Sequence, residues 1–283
     1  MPENAGYLGP DTVTFGYAAA EKYFLGQDIE LVPMGSHQEI CEAVGKSHID
    51  YGVVAVENSI DGVVLETIHG VEHTFRKYNL CIYGEEKIDI QMFYLQKNDA
   101  LSPPIKVLSH LTAIRQCSKF VSLLQKQGIT VEVRNSTGQA AKEASANPET
   151  AVLASGKAAN VYGLKKIVQE SVTDSQHSIT RFWILSPKHH LPTGHDKTCI
   201  FINLEKEKPG VLYQALGCFA QQGVNLLTLY PNPILGREWE YTFILEFAGH
   251  IFDASMDTAY ENLNDSGICV GGPILLGAYP VAA

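Results

Sequence analysis

The sequence predicts an α/β chain in two parts: a larger domain of alternating strands and helices with largely parallel pairing, then a small βαββαβ domain of ferredoxin-like plan. Three observations carry this. Short β-rich apolar runs alternate with helical segments from Met1 to about Ser186. Ser186-Pro-Lys-His-His-Leu-Pro-Thr-Gly-His-Asp196 then breaks the alternation with two prolines and a glycine, as a linker does. About 85 residues follow, and the total of 283 suits roughly two domains with cores of their own.

Taken in order, Tyr7-Leu-Gly-Pro10 reads as a strand end turning towards a helix at Ala18–Phe24, and a second helix is expected at His37–Val44. Val53–Val56, Ile105–Leu108, Thr130–Val133, Ala151–Ala154 and Phe182–Leu185 are apolar, β-branched runs and read as buried strands. Thr112–Lys126 and Ala140–Ala146 read as the helices among them. Beyond the break, Thr198–Leu204 is a strand, Pro209-Gly210 opens a helix to about Gln222, and Gly223 sits where a helix ends. Strands at Val224–Leu229 and Trp239–Phe247, a helix at Asp253–Leu263 and a last strand within Ile268–Leu276 complete the plan.

Composition narrows the function. With 45% apolar and 18% charged residues the chain is globular. A formal charge of −10, spread along the chain, repels phosphate backbones and anionic membranes, so neither is expected as a partner. An anionic ligand would need local cations or oriented backbone and amide donors. Met1–Pro10 has no basic region leading into an apolar core, and no apolar run approaches the ~18 residues of a membrane span, so a cytoplasmic location is expected. Six scattered cysteines without a Cys-x-x-Cys pair suggest buried thiols rather than a zinc site or disulfides. The adjacent His189 and His190 have no acid nearby to complete a metal shell, and read as part of a solvated linker.

Five segments carry candidate chemistry. Tyr7–Pro10 lies at a strand terminus, where ligands bind in open α/β sheets. Val56-Glu-Asn-Ser-Ile-Asp-Gly62 follows a buried strand; Asn58 and Ser59 can hold a carboxylate or hydroxyl without adding charge, while Glu57 can orient a partner or cap a helix. Ser109-His110, with Gln116-Cys117 further along, places Ser109 as a helix N-cap, and Asn135-Ser-Thr137 repeats the device. Ser178-Ile-Thr-Arg-Phe182 opens the strand that closes the domain, with Arg181 the one strong cation of the set beside the Thr180 hydroxyl.

In order and spacing these segments resemble prephenate dehydratase: Tyr7–Pro10, Glu57–Ser59, Ser109-His110 with Gln116-Cys117, Ser136-Thr137 and Thr180–Phe182 match its motifs. Lys208-Pro-Gly-Val-Leu-Tyr213, Val224-Asn-Leu226 and Trp239-Glu-Tyr241 are similar to the amino-acid-binding ACT domain fused to that enzyme. The resemblance implies a two-lobed catalytic domain of periplasmic-binding-protein type over 1–187, with lobes of about 1–80 plus 176–187 and 81–175, a linker at 188–196, and an ACT domain at 197–283. It implies prephenate as substrate, phenylpyruvate as product, no cofactor or metal, an aromatic amino-acid effector, and a homodimer or homotetramer. Thr180 and Arg181 would be catalytic, and Glu57, Asn58, Ser59, Ser109, Gln116 and Phe182 would bind substrate. Gly210, Val211, Leu212, Tyr213, Asn225, Leu226, Tyr230 and Asn232 would bind the effector.

Departures leave other readings open. Thr12-Val-Thr14, Ser109-His-Leu-Thr112 and His177-Ser178 differ from the family pattern, which keeps an arogenate dehydratase, a non-aromatising prephenate decarboxylase and a non-catalytic amino-acid sensor as alternatives. Tyr230-Pro-Asn-Pro233 replaces the regulatory Glu-Ser-Arg-Pro segment and removes both its charges.

Overall fold

The computed structural model describes residues 2–10, 12–78, 80–97, 102–175, 177–205, 208–234 and 240–282, with side chains at all of them except 71, 72 and 76. The chain runs β1 (Glu3–Leu8), α1 (Phe15–Tyr23), β2 (Ile29–Met34), α2 (His37–Gly45), β3 (Tyr51–Asn58), β4 (Gly62–Val63), α3 (Leu65–Lys77) and β5 (Cys81–Asp89). It continues through β6 (Phe93–Lys97), β7 (Lys106–His110), α4 (Leu111–Gln116), α5 (Ser118–Lys126), β8 (Thr130–Arg134), α6 (Thr137–Ala146), β9 (Thr150–Ala154), α7 (Gly156–Tyr162) and β10 (Leu164–Lys166). Last come β11 (Ile179–Ser186), β12 (Asp196–Asn203), α8 (Val211–Ala220), β13 (Leu226–Pro233), β14 (Tyr241–Ala248), α9 (Ala254–Asp265) and β15 (Ile274–Pro280). None of the described helices is long and apolar enough to cross a membrane.

Three sheets organise these elements. The first has the order β2-β1-β3-β11-β5 with β4 on β3, the second β10-β6-β9-β7-β8, and the third β13-β14-β12-β15. β1 pairs in parallel with β2 and β3, and β7 with β8 and β9. In the second sheet β6 is antiparallel to both β9 and β10. Two α/β lobes of one plan result. Both faces of the second sheet are covered, which is why its strands read as unbroken apolar runs. Leu95, Leu108 and Val152 pack one way with Ala140, Ala141 and Ala144 of α6, while Tyr94, Val107 and Leu153 pack the other way with Val121 and Leu124 of α5.

The first sheet departs from the expected lobe boundary. β5 belongs to it, beside β11, so the chain enters the second lobe only after Asp89 rather than at residue 81. The predicted helix at Thr112–Lys126 is also two helices. Cys117 breaks it at φ −116°, ψ 29°, and α5 restarts with the N–H groups of Ser118 and Lys119 donating to the Asp174 carboxylate at 2.9 and 3.0 Å. That cap comes from a distant segment, so no local pattern announces it.

The described chain divides into two compact units: Met1–Ala43, Ile49–Gly70 and Glu86–Phe182, and then Val44–His48, Val71–Glu85 and Trp183–Ala283. The second contains the βαββαβ run. Its core sets Ile200, Ile202, Leu245 and Phe247 against Ala215 and Phe219 of α8 and Met256, Ala259 and Leu263 of α9. Phe219 and Phe247 stack at 3.9 Å and 15°. Strand β13 runs past Leu229 through Pro231 and Pro233. It lies at the sheet's edge, where Tyr230 and Asn232 pair with β14 and the intervening prolines turn to the open side, the one place a strand accepts them. Trp239, expected to begin β14, lies outside the described residues.

Segment 187–195 has no regular element, as expected, but it is not freely solvated. The Cys81 thiol donates to the carbonyls of Ser186 and Lys188, the ring Nε2 of His250 meets the His190 carbonyl at 3.2 Å, and Asp196 accepts from Thr193 and Gly194. Strand β5 is held to the same unit. Buried Glu85 receives Lys197 Nζ at 2.9 Å and the Ala282 N–H at 3.0 Å, and Gly277 lies so close that a Cβ there would clash with the Ile82 carbonyl oxygen.

Candidate active site

A cavity of about 290 Å³ opens within the first unit, where the strand ends of both lobes converge. The β1–α1 turn brings Leu8 and Thr14–Gly16, the β2–α2 turn Gly35, Ser36 and His37, and the segment after β3 brings Asn58, Val64 and Glu66. Ile90 and Met92 lie on the crossing between the lobes. From the second lobe come His110, Thr112, Ala113 and Gln116, and Asn135, Ser136 and Thr137; β11 adds Thr180 and Phe182. None of the described lining residues is lysine or arginine.

What replaces them is a set of helix N-termini. Thr14 caps α1 by accepting the Tyr17 N–H at 3.2 Å, Ser36 receives Glu39 N–H at 3.0 Å at the start of α2, and Ser136 caps α6 by accepting the Gln139 N–H at 3.0 Å. Each N-terminus carries unpaired backbone donors and the positive end of the helix dipole, which suits an anion.

Asn58 organises the strand side. Its Oδ1 accepts the N–H groups of Ile60 and Asp61 at 2.8 and 3.1 Å, which fixes the amide's orientation. Its Nδ2 therefore donates, to Thr180 Oγ1 at 2.9 Å and Ser178 Oγ at 3.3 Å. Since Thr180 Oγ1 already accepts, its own proton is free to be donated elsewhere. Gln116, 2% exposed, donates from Nε2 to Asp61 Oδ2 at 2.9 Å and keeps a buried Oε1 with no partner among the described residues.

Other sequence candidates fall elsewhere. Arg181 sits between Thr180 and Phe182, so strand alternation turns it to the opposite face, where it pairs with Glu57 at 3.1 Å. Both are absent from the cavity wall, so neither the direct positive potential expected of Arg181 nor substrate contact by Glu57 fits this geometry. Ser59 donates to the His177 carbonyl and accepts the Ile179 N–H, both at 3.0 Å. Ser109 is not the N-cap. It lies inside β7, fully buried, donating to the Leu153 carbonyl at 2.7 Å, and His110 takes the cap position by accepting the Thr112 N–H on Nδ1 at 3.3 Å.

The sequence reading missed His37 and Glu66, and gave His110 no role. Ser36-His37 could have been found by the device that found Ser136, a small hydroxyl residue between a strand and a helix. Burial, together with the nearby His110, pushes the His37 imidazole down to about 4, and its Nδ1 has no partner. Burial lowers His110 too, against a pull upward from Glu66.

Of the effector candidates, Gly210 adopts the left-handed conformation as N-cap of α8 with φ 80°, and Val211, Leu212 and Tyr213 form its first turn. Tyr213 is 81% exposed. Asn225 accepts the Ala248 N–H at 2.9 Å, Leu226 and Tyr230 lie on edge strand β13, and Asn232 is buried with its carbonyl accepting from the Thr242 hydroxyl at 3.2 Å.

Fold and cavity together define a two-lobed α/β protein with a cleft between its lobes, lined by polar side chains and helix N-termini. Residues 5–190 match the family model described as prephenate dehydratase. The bifunctional chorismate mutase/prephenate dehydratase of Aquifex aeolicus is 33% identical over 278 residues, 98% of this chain and 73% of that one. The prephenate dehydratase of Bacillus subtilis is 31% identical over 287 residues, covering 97% of each. The solved prephenate dehydratase of Arthrobacter aurescens, in complex with L-Phe, superposes with a TM-score of 0.84 at 24% identity, over 98% of this chain and 90% of that one. The chain belongs to the prephenate dehydratase family, whose members are lyases.

Proposed function

We propose that the cavity binds prephenate as a dianion and that Thr180 donates its hydroxyl proton to the departing ring hydroxyl. The observation that carries this is the Asn58 Nδ2 to Thr180 Oγ1 bond of 2.9 Å, which occupies the threonine as acceptor and directs its proton outward. The N-termini of α1, α2 and α6 hold the two carboxylates by backbone donors. Phe182, Ile90 and Met92 supply apolar wall for the ring. Loss of CO2 together with the ring hydroxyl makes the ring aromatic, so the driving force lies in the substrate and the protein's task is to favour the charge distribution of the transition state. Replacing Thr180 with alanine lowers kcat by ~10²-fold or more while serine retains part of it, measured as phenylpyruvate formed from prephenate. Full turnover by the alanine variant overturns the role.

Residues 197–283 serve, in this reading, as an ACT domain that senses an aromatic amino acid, supported by the element order and by the L-Phe complex of the Arthrobacter aurescens relative. Loss of both charges at Tyr230-Pro-Asn-Pro233 makes phenylalanine a weak effector here. Titrating activity and binding heat with phenylalanine, tyrosine and tryptophan tests this; tight inhibition by phenylalanine refutes it. The enzyme is a cytoplasmic homodimer or homotetramer, which sedimentation would establish.

A further inference from the structure

The reaction consumes a proton whose source the Thr180 hydroxyl cannot be. Prephenate enters with two negative charges. The bond between ring and carboxylate breaks, its electron pair enters the ring, and the ring C–O bond breaks to release hydroxide. Phenylpyruvate anion, CO2 and water carry one negative charge in total, so one proton is taken up per turnover and ends on the hydroxide. A threonine relays a proton but does not hold one in reserve near neutral pH.

Three titratable side chains stand in the described wall of the cavity: His37, His110 and Glu66. His110 accepts the Thr112 N–H on Nδ1, so its one proton sits on Nε2, and a second proton on Nδ1 would break that bond. His37 has no such obstacle. It is 5% exposed, it stands at the first position of α2, and its buried Nδ1 has no partner among the described residues. A buried polar atom left unpaired is costly unless an occupant changes its surroundings. Burial and His110 both oppose a charge on His37; Glu66 stands in the same wall, and Glu39 lies on the same helix with its carboxylate held by the Gly35 N–H at 2.8 Å.

We propose that His37 is the proton carrier of the reaction: its imidazole takes up a proton when the dianion binds and supplies the one that ends on the leaving hydroxide. His110 stays neutral and donates from Nε2 to the substrate. Two substrate charges arriving beside His37 favour the imidazolium against the burial that disfavours it, so the proton is recruited only when there is something to protonate.

The inference rests on the cavity being the prephenate site, and the test separates the two. Proton uptake is followed with an indicator dye in weak buffer, on adding an unreactive cyclohexane dicarboxylate shaped like prephenate to the full-length protein near pH 7. Wild type and Thr180→Ala take up close to one proton per site, whereas His37→Gln takes up none. With prephenate, His37→Gln loses ~10²-fold or more in kcat, keeps KM within about threefold, and loses the alkaline limb of the kcat–pH profile. Proton uptake or full kcat retained in His37→Gln overturns the proposal, as does a fall in kcat with the wild-type pH profile unchanged, which would mark a merely structural role. His37→Asn replaces the glutamine variant if circular dichroism shows the latter unfolded. Failure of the wild type to convert prephenate would instead remove the reading on which the inference rests.

Discussion

Replacing Asn58 with aspartate tests the direction of a single hydrogen bond. The carboxylate keeps the amide's shape and still accepts the N–H groups of Ile60 and Asp61, so the turn after β3 survives. What it cannot do is donate to Thr180. The threonine must then donate to the introduced carboxylate, and its proton is no longer offered to the substrate. Losing one preorganised donor at the departing oxygen costs about 2.7–4 kcal/mol, or ~10²–10³ in kcat. The new charge also repels the substrate: at a separation on the order of 8 Å and an effective dielectric of ~20 the cost is about 2 kcal/mol for each carboxylate at that distance, roughly 30-fold in KM from one alone. Asn58→Ala behaves differently. It strips both backbone N–H groups and both hydroxyls of their partner and costs about 3 kcal/mol of stability on top of the catalytic loss. Phenylpyruvate formation and urea melts on the two variants separate the effects. If Asn58→Asp turns over prephenate with kcat within about threefold of wild type, the orientation argued for Thr180 is wrong.

Three further outcomes follow from the geometry. Arg181→Gln leaves Glu57 without its partner on the face away from the cavity, so it lowers stability by about 1–2 kcal/mol, since Glu57 is partly solvated, while kcat stays within about tenfold; a selective loss of kcat at unchanged Tm would contradict that placement. Gly277→Ala forces a Cβ against the Ile82 carbonyl oxygen and destabilises by ~1–3 kcal/mol, read as a shift in denaturation midpoint. His37 titrates near 4 when folded, below its ordinary 6.5. The unfolded chain thus binds more protons in that window, and stability falls as pH drops from 6.5 through 4, by about 3 kcal/mol; His37→Gln flattens that part of the stability–pH curve, and an unchanged slope would show His37 titrating normally.

Much of the fold was readable because the second sheet is covered on both faces, so that apolar runs such as Ala151–Ala154 stand out against amphipathic helices. The site was readable in part. Asn58, Ser136 and Thr180 stand at strand ends or a helix start and Gln116 at the end of α4, and the cavity gathers all four. Arg181, Glu57, Ser59 and Ser109 shared those motifs but spend their groups on internal partners. For Arg181 the two-residue period of a strand already separated it from Thr180. Asp174 capping α5, and β5 joining the first sheet, depend on pairings across long stretches of chain that no local window contains.

A cleft for a dianion without a lysine or arginine in its described wall fits the chemistry required of it. A cation clamped on the ring carboxylate would stabilise that charge most in the ground state, and decarboxylation removes the charge. Binding so achieved lowers KM and raises the barrier by a similar amount. In the proposed site, backbone N–H groups at helix starts would hold the substrate with less bias towards the ground state, leaving the carboxylate weakly solvated. Thr137, the first residue of α6 and part of the cavity wall, allows a direct test because Ser136 rather than Thr137 caps the helix. Thr137→Lys keeps that cap and costs ~0.3–1 kcal/mol for a cation at a helix N-terminus. Its ammonium adds a charge-assisted bond to a substrate carboxylate, worth about 1.5–3 kcal/mol. If the contact is to the carboxylate that leaves, KM falls roughly 10-fold or more and kcat falls by a similar factor, so that kcat/KM scarcely moves. Steady-state kinetics with prephenate, run beside a Thr137→Met variant of similar bulk, separate charge from shape. A lysine variant with lower KM and undiminished kcat would show that ground-state charge stabilisation carries no penalty in this cleft.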